Sequence, residues 1–150
     1  MIIVEPADPR HPQATALLQA SHALMEQLFP PEDNHYLSID ALCVPEIAFF
    51  IAREGATILG TGALANKTTY GEIKSMFVAE TARGRGIADA LLRALEDHAR
   101  SLKLPSLKLE TGNLLHSAHR LYARHGFAPC PPFGDYAAND TSLFMEKSLI

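Results

Sequence analysis

The chain has 150 residues, 47% hydrophobic and 20% charged, with a formal net charge of −4. This composition suits a globular protein and excludes a disordered one, which would hold far fewer apolar residues. There is no Lys/Arg run for binding nucleic acid, no apolar window of about 18 residues for crossing a membrane, and no metal spacing around Cys43 or Cys130.

Residues 2–5 form a short β-prone run, stopped by Pro6 and Pro9. They carry no basic, then apolar, leader pattern, so a cytoplasmic protein without a signal peptide is expected. Pro12 can open a helix in which Ala14, Leu17, Leu18, Ser21, Met25 and Leu28 recur at helical spacing. Pro30-Pro31 ends it, and residues 32–40 read as a loop or a second short helix. Residues 45–53 hold Ile47, Ala48, Phe49, Phe50 and Ile51 in succession, the composition of a buried strand. A turn at Glu54-Gly55 leads to a strand at 57–64, and a turn around Asn66-Lys67 to another at 70–78.

The period then becomes helical over residues 86–102, with Ile87, Leu91, Ala94, Leu95 and Leu102 on one face and Glu96–Arg100 as an i, i+4 pair. Pro105 breaks it. Residues 106–111 alternate as a strand, 117–124 form a helix stopped by Gly126, and strands at 127–130 and 142–146 flank a loop. The order β–α–β–β–β–α–β–α–β–β predicts one α/β domain over residues 1–150, built on a mixed sheet. It contains one right-handed parallel crossover across residues 70–111.

The stretch Met76-Phe77-Val78-Ala79-Glu80-Thr81-Ala82-Arg83-Gly84-Arg85-Gly86-Ile87-Ala88 takes a strand through a glycine turn into a helix. A helix start leaves backbone N–H groups unpaired and favours negative charge. Glycines let the backbone wrap a diphosphate, and Arg83 and Arg85 could add charge-assisted bonds. A dinucleotide fingerprint would need a third glycine where Asp89 stands, and a P-loop would need Gly-Lys-Ser/Thr. The coenzyme A pyrophosphate pattern, Arg/Gln-x-x-Gly-x-Gly/Ala, fits Arg83-x-x-Gly86-x-Ala88.

With the later unit Ala118-x-x-Leu121-Tyr122-x-x-x-Gly126-Phe127, the sequence resembles the GNAT acyltransferase superfamily over nearly its whole length. A closer resemblance is to small bacterial members named indole-acetate acetyltransferases. It rests on residues 71–76, on Leu109-Glu110-Thr111-Gly112, and on Pro132-Phe133-Gly134-Asp135-Tyr136 with Phe144-Met145. Indole acetate has no amine, so that label does not fix the acceptor.

The resemblance implies a mostly antiparallel sheet flanked by helices, with acetyl-CoA as co-substrate and a primary amine of a small molecule or protein as acceptor. Transfer would be direct, since no cysteine sits in the motif. It places the cofactor against Met76, Phe77, Val78, Arg83, Gly84, Arg85, Gly86, Ile87, Ala88, Ala118 and Tyr122, with Tyr122 as acid at the leaving sulfur. Leu115 stands where many members have a cofactor-contacting Asn, and Asn113 is the nearby substitute. Glu72 is the first choice of base and Glu110 the second; Lys74, two residues along the same strand, could equally pair with Glu72. His35, Tyr36, Lys74, Glu110, Phe133, Asp135 and Tyr136 are the candidates for the acceptor site. The remaining histidines show no partner pattern, no metal is expected, and a homodimer is left open. A rival of another class is a non-catalytic acyl-CoA sensor on the same fold, which thiol release from acetyl-CoA would separate from an enzyme.

Overall fold

The computed structural model describes residues 1–150. Its elements are β1 (Ile2–Pro6), α1 (Pro12–Leu28), a one-turn α2 (Ile39–Leu42), β2 (Ile47–Glu54), β3 (Thr57–Asn66), β4 (Gly71–Val78) and α3 (Ile87–Ser101). They continue with β5 (Ser106–Gly112), α4 (His116–Arg124), β6 (Ala128–Pro129) and β7 (Ser142–Ser148). The segment read as loop or short helix holds both a 3-10 turn at Pro31–Asp33 and α2. β6 is shorter than expected, because Pro129, Pro131 and Pro132 have no N–H to donate to a ladder.

The strands form one seven-stranded sheet in the order β1-β2-β3-β4-β5-β7-β6. Only β4 and β5 run parallel, joined by the crossover through α3; every other pair is antiparallel. Helices cover both faces. Along β2, Phe49 and Ile51 pack with Ala14 and Leu18 of α1, while Phe50 and Ala52 pack with Leu91 and Leu95 of α3. Successive strand residues point to opposite faces, so burial on both faces accounts for the unbroken apolar run of β2.

α3 buries Ile87, Leu91, Leu92, Leu95 and Ala99. Leu102, expected on that face, is the C-cap residue and is 42% exposed. The Glu96–Arg100 pair forms at 3.3 Å. α3 lies close on the sheet: a Cβ on Gly62 would fall 2.8 Å from Met76 Sδ and 3.1 Å from Leu95 Cδ1.

Two irregularities open the sheet at its centre. β4 and β5 pair only at Gly71–Leu107 and Glu72–Lys108, then diverge, leaving the rest of their facing edges unpaired. In β4, Ser75 and Met76 together oppose Gly62 of β3. This bulge puts Ser75 at φ 57°, and Thr61 Oγ1 donates to Ser75 O at 2.8 Å.

Candidate active site

A cavity of about 660 Å³ occupies the wedge between β4 and β5. Its walls come from the outer half of β4, the end of β5, the start of α3, α4, and the second half of α1. α1 buries only Ala14 and Leu18 in the core. Beyond them Ser21, Leu24 and Met25 line the cavity, so the helical spacing read from the sequence serves the core first and the site afterwards.

At one end lies the turn into α3. Gly84 and Gly86 take φ 80° and 77°, a region that favours glycine, and nothing lies within 4 Å of a Cβ built on either. Ala90 is the first α3 residue whose N–H bonds back, to Gly86 O at 3.1 Å, so the N–H groups of Ile87, Ala88 and Asp89 have no backbone partner. Free donors, the helix dipole and open space are what an anion site requires. Arg83 lines it, lies 5.8 Å over the Phe77 ring and donates to Val78 O at 3.4 Å. Arg85 does not line the cavity. It turns to Glu54 at 2.7 Å and anchors the turn to the β2–β3 hairpin.

In the middle, Met76, Phe77 and Val78 present the unpaired edge of β4 to the cavity, facing Ala118 and Tyr122 of α4. Tyr122 is 6% exposed and lines the cavity. Burial and then the charge of Glu110 hold its pKa above the ordinary phenol value. Leu115 lines the cavity. Asn113 does not; its Nδ2 donates to Asp140 O at 3.1 Å.

The other end contains Glu110, Lys74, His35 and Tyr36 together with Asp33. Burial raises the Glu110 pKa, against a 2.7 Å hydrogen bond from Ser142 Oγ that lowers it. Glu72 is 4% exposed and not part of the lining. It accepts from the Tyr136 hydroxyl at 2.5 Å and lies 3.5 Å from Lys74 Nζ, the ion pair that their shared strand face allowed. Tyr136, its pKa raised by burial and by Glu72, stands behind the lining, as do Phe133, packed between Tyr70 and Phe144, and the exposed Asp135. The 133–136 loop therefore braces the β4 wall.

The sequence reading missed the α1 residues, Asp33, and the partners of Asp89: Arg124 and His125 at the end of α4 lie 3.0 and 2.8 Å from its carboxylate. A helical pattern continuing past the core was the available signal for α1. Nothing local signals a contact spanning 36 residues. No group of three or more His, Cys, Asp or Glu side chains is placed to hold a metal ion.

The family model for the acetyltransferase (GNAT) family matches residues 14–127, which contain the bulged strand, the glycine turn and Tyr122. The chain belongs to the GNAT acetyltransferase family. It is 42% identical over 143 residues to an IAA acetyltransferase of Azospirillum brasilense, a match covering 94% of each chain. A Klebsiella pneumoniae structure assigned as an acyl-CoA N-acyltransferase is 29% identical, covers 100% of this chain and 99% of its own, and superposes with a TM-score of 0.83. The PaiA N-acetyltransferase of Thermoplasma acidophilum, solved with coenzyme A, shares the fold at 14% identity and a TM-score of 0.76, covering 99% of each chain.

This GNAT chain is thus an acyltransferase with acetyl-CoA as its co-substrate. Its residues fit that molecule: free N–H groups and Arg83 for the diphosphate, and an unpaired strand edge for the amide-bearing arm. No helix is long and apolar enough to cross a membrane.

Proposed function

We propose that the protein transfers the acetyl group of acetyl-CoA directly to a primary amine. The observation that carries this reading is that Glu110 and Tyr122 line one cavity, with the anion site at its far end. Bound acetyl-CoA supplies a thioester carbonyl and a leaving sulfur. The N–H groups of Ile87 and Ala88 and the Arg83 guanidinium hold its diphosphate, and the free edge of β4 at Met76–Val78 aligns its arm as an added strand.

Glu110 serves as base in this reading. Its carboxylate reaches the cavity, whereas Glu72 is taken up by Tyr136 and Lys74. A carboxyl whose pKa burial has raised is better matched to accepting a proton near neutral pH. Glu110 removes one proton from the ammonium group, freeing the nitrogen lone pair to form the new C–N bond as the C–S bond breaks. Tyr122 gives its hydroxyl proton to the departing sulfur and regains one from the acylated nitrogen. Overall one ammonium and one thioester give one amide, one thiol and one proton.

The test is thiol release from acetyl-CoA with and without a pool of primary amines. Amine-dependent release supports the reading. Release that ignores amines, or none at all, overturns it.

A further inference from the structure

The acceptor end of the cavity has a roof, and the roof is fastened. Phe29, just past α1, is seated on Gly112 at the end of β5, where a Cβ would come within 2.1 Å of its ring. Asp33 accepts from Thr141 Oγ1 at 2.8 Å, and Lys74 donates to His35 O at 2.9 Å. These contacts tie the segment after α1 to β5, to β4 and to the residue preceding β7. Beneath it the cavity of about 660 Å³ is shared with the arm of acetyl-CoA. That space suits a small molecule rather than a length of polypeptide.

Charge narrows the class further. Lys74 is the one lysine on this cavity, and an ammonium has three N–H groups. His35 O and the Tyr136 hydroxyl each accept from it at 2.9 Å, which takes two of its three N–H groups, and Glu72, 3.5 Å away, offsets its charge. The unpartnered Asn34 Nδ2 and His35 Nε2 are buried. The cavity arginines, Arg83, Arg120 and Arg124, belong to the α3–α4 end. Glu110 and Asp33, by contrast, each have one carboxylate oxygen bonded, to Ser142 and Thr141, and one without a protein partner. Leu24, Met25 and Phe29 supply the apolar wall beside them.

We infer that the acceptor is a small primary amine with an apolar body and no carboxylate of its own, its ammonium group held against Glu110 and Asp33. A free α-amino acid would bring a further anion to a site with two carboxylates, whose one lysine is already paired with Glu72. The inference rests on the N-acetyltransferase reading above.

The experiment measures acetyl-CoA-dependent thiol release with matched pairs: 2-phenylethylamine and phenylalanine, tyramine and tyrosine, tryptamine and tryptophan, isoamylamine and leucine. A lysine-bearing peptide and the four amino-acid amides, which lack the carboxylate charge, complete the set. The amines are expected to exceed their amino acids in kcat/KM by on the order of 100-fold, with the amides between them and the peptide inactive. Asp33→Asn should raise the KM for the amine about fivefold without moving the KM for acetyl-CoA. Amino acids or the peptide outperforming the amines would overturn the assigned class while leaving the N-acetyltransferase reading intact. Thiol release with none of these acceptors would overturn both.

Discussion

Asp89, in the first turn of α3, has its Oδ1 2.8 Å from His125 Nε2, one residue past the end of α4. Burial works to raise the Asp89 pKa, but the hydrogen bonds from His125 and Arg124 outweigh it and hold the carboxyl below its ordinary value. An anion therefore sits beside the helix start proposed to receive the diphosphate, and Arg124 at the end of α4, together with the hydrogen bond to His125, offsets it. Removing His125, which does not line the cavity, should expose that charge. His125→Ala is expected to weaken coenzyme A binding about threefold to tenfold, the effect of one partly exposed charge near a helix end. Asp89→Asn in the same background should restore it. Calorimetric titration of all three proteins decides the point; equal affinities would mean that the α3–α4 contact serves packing alone.

Gly86 allows a second test, of the anion site itself. Its φ of 77° penalises any side chain, while the space around a Cβ is open. Gly86→Ala and Gly86→Glu should therefore share one backbone cost, about 1 kcal/mol, seen as a fall of a few degrees in melting temperature. They should part company in binding. Ala keeps the anion site open, whereas Glu carries a negative charge into it, and acetyl-CoA should no longer raise the melting temperature of Gly86→Glu. Equal shifts in both variants would place the diphosphate elsewhere.

Much of this site was legible because its signals are local. The glycine turn, the strand feeding it and Tyr122 lie within short stretches whose residue types have mechanical reasons, and the structure brings them to one cavity. Arg85 shows where local reading stops: in the motif it looks equivalent to Arg83, but Glu54, 31 residues away, claims it. The carboxylates show the same limit. Glu72 and Glu110 each sit on a strand beside the wedge, and nothing in either strand reveals that Tyr136, 64 residues from Glu72, occupies the one and leaves the other facing the cavity. The fold fared better, since alternation, helical period and proline breaks act over short range. The splay of β4 from β5 depends on register and has no such sign.

Tyr122→Phe separates acid chemistry from binding. The ring is buried and packs 5.7 Å from Phe127, contacts that Phe keeps. Affinity for coenzyme A and thermal stability should both persist. If the hydroxyl protonates the leaving sulfur, kcat should fall on the order of 100-fold. Raising the pH should not recover it, because an amine already neutral still leaves the thiolate without a donor. A variant that turns over at the wild-type rate would reduce Tyr122 to a packing role.

Glu110→Gln should lose activity and gain stability together. Burial holds the folded-state pKa above the ordinary carboxyl value of 4.5, so the folded protein favours the protonated form more than the unfolded chain does. The contribution to stability is then fully present below pH 4.5 and is lost as pH rises through the folded-state pKa. Gln resembles the protonated side chain and carries no charge at any pH. At pH 7 to 8 the variant should melt at or above the wild-type temperature, and the difference should shrink as the pH is lowered towards the carboxyl range. Its kcat near neutral pH should drop by about 100-fold or more, with partial recovery at high pH where the amine deprotonates unaided. Glu72→Gln keeps an acceptor for the Tyr136 hydroxyl and should lose far less. If instead Glu72→Gln shows the larger loss with recovery at high pH, and Glu110→Gln stays active, the base is Glu72, and Tyr136 and Lys74 must release it when the acceptor binds.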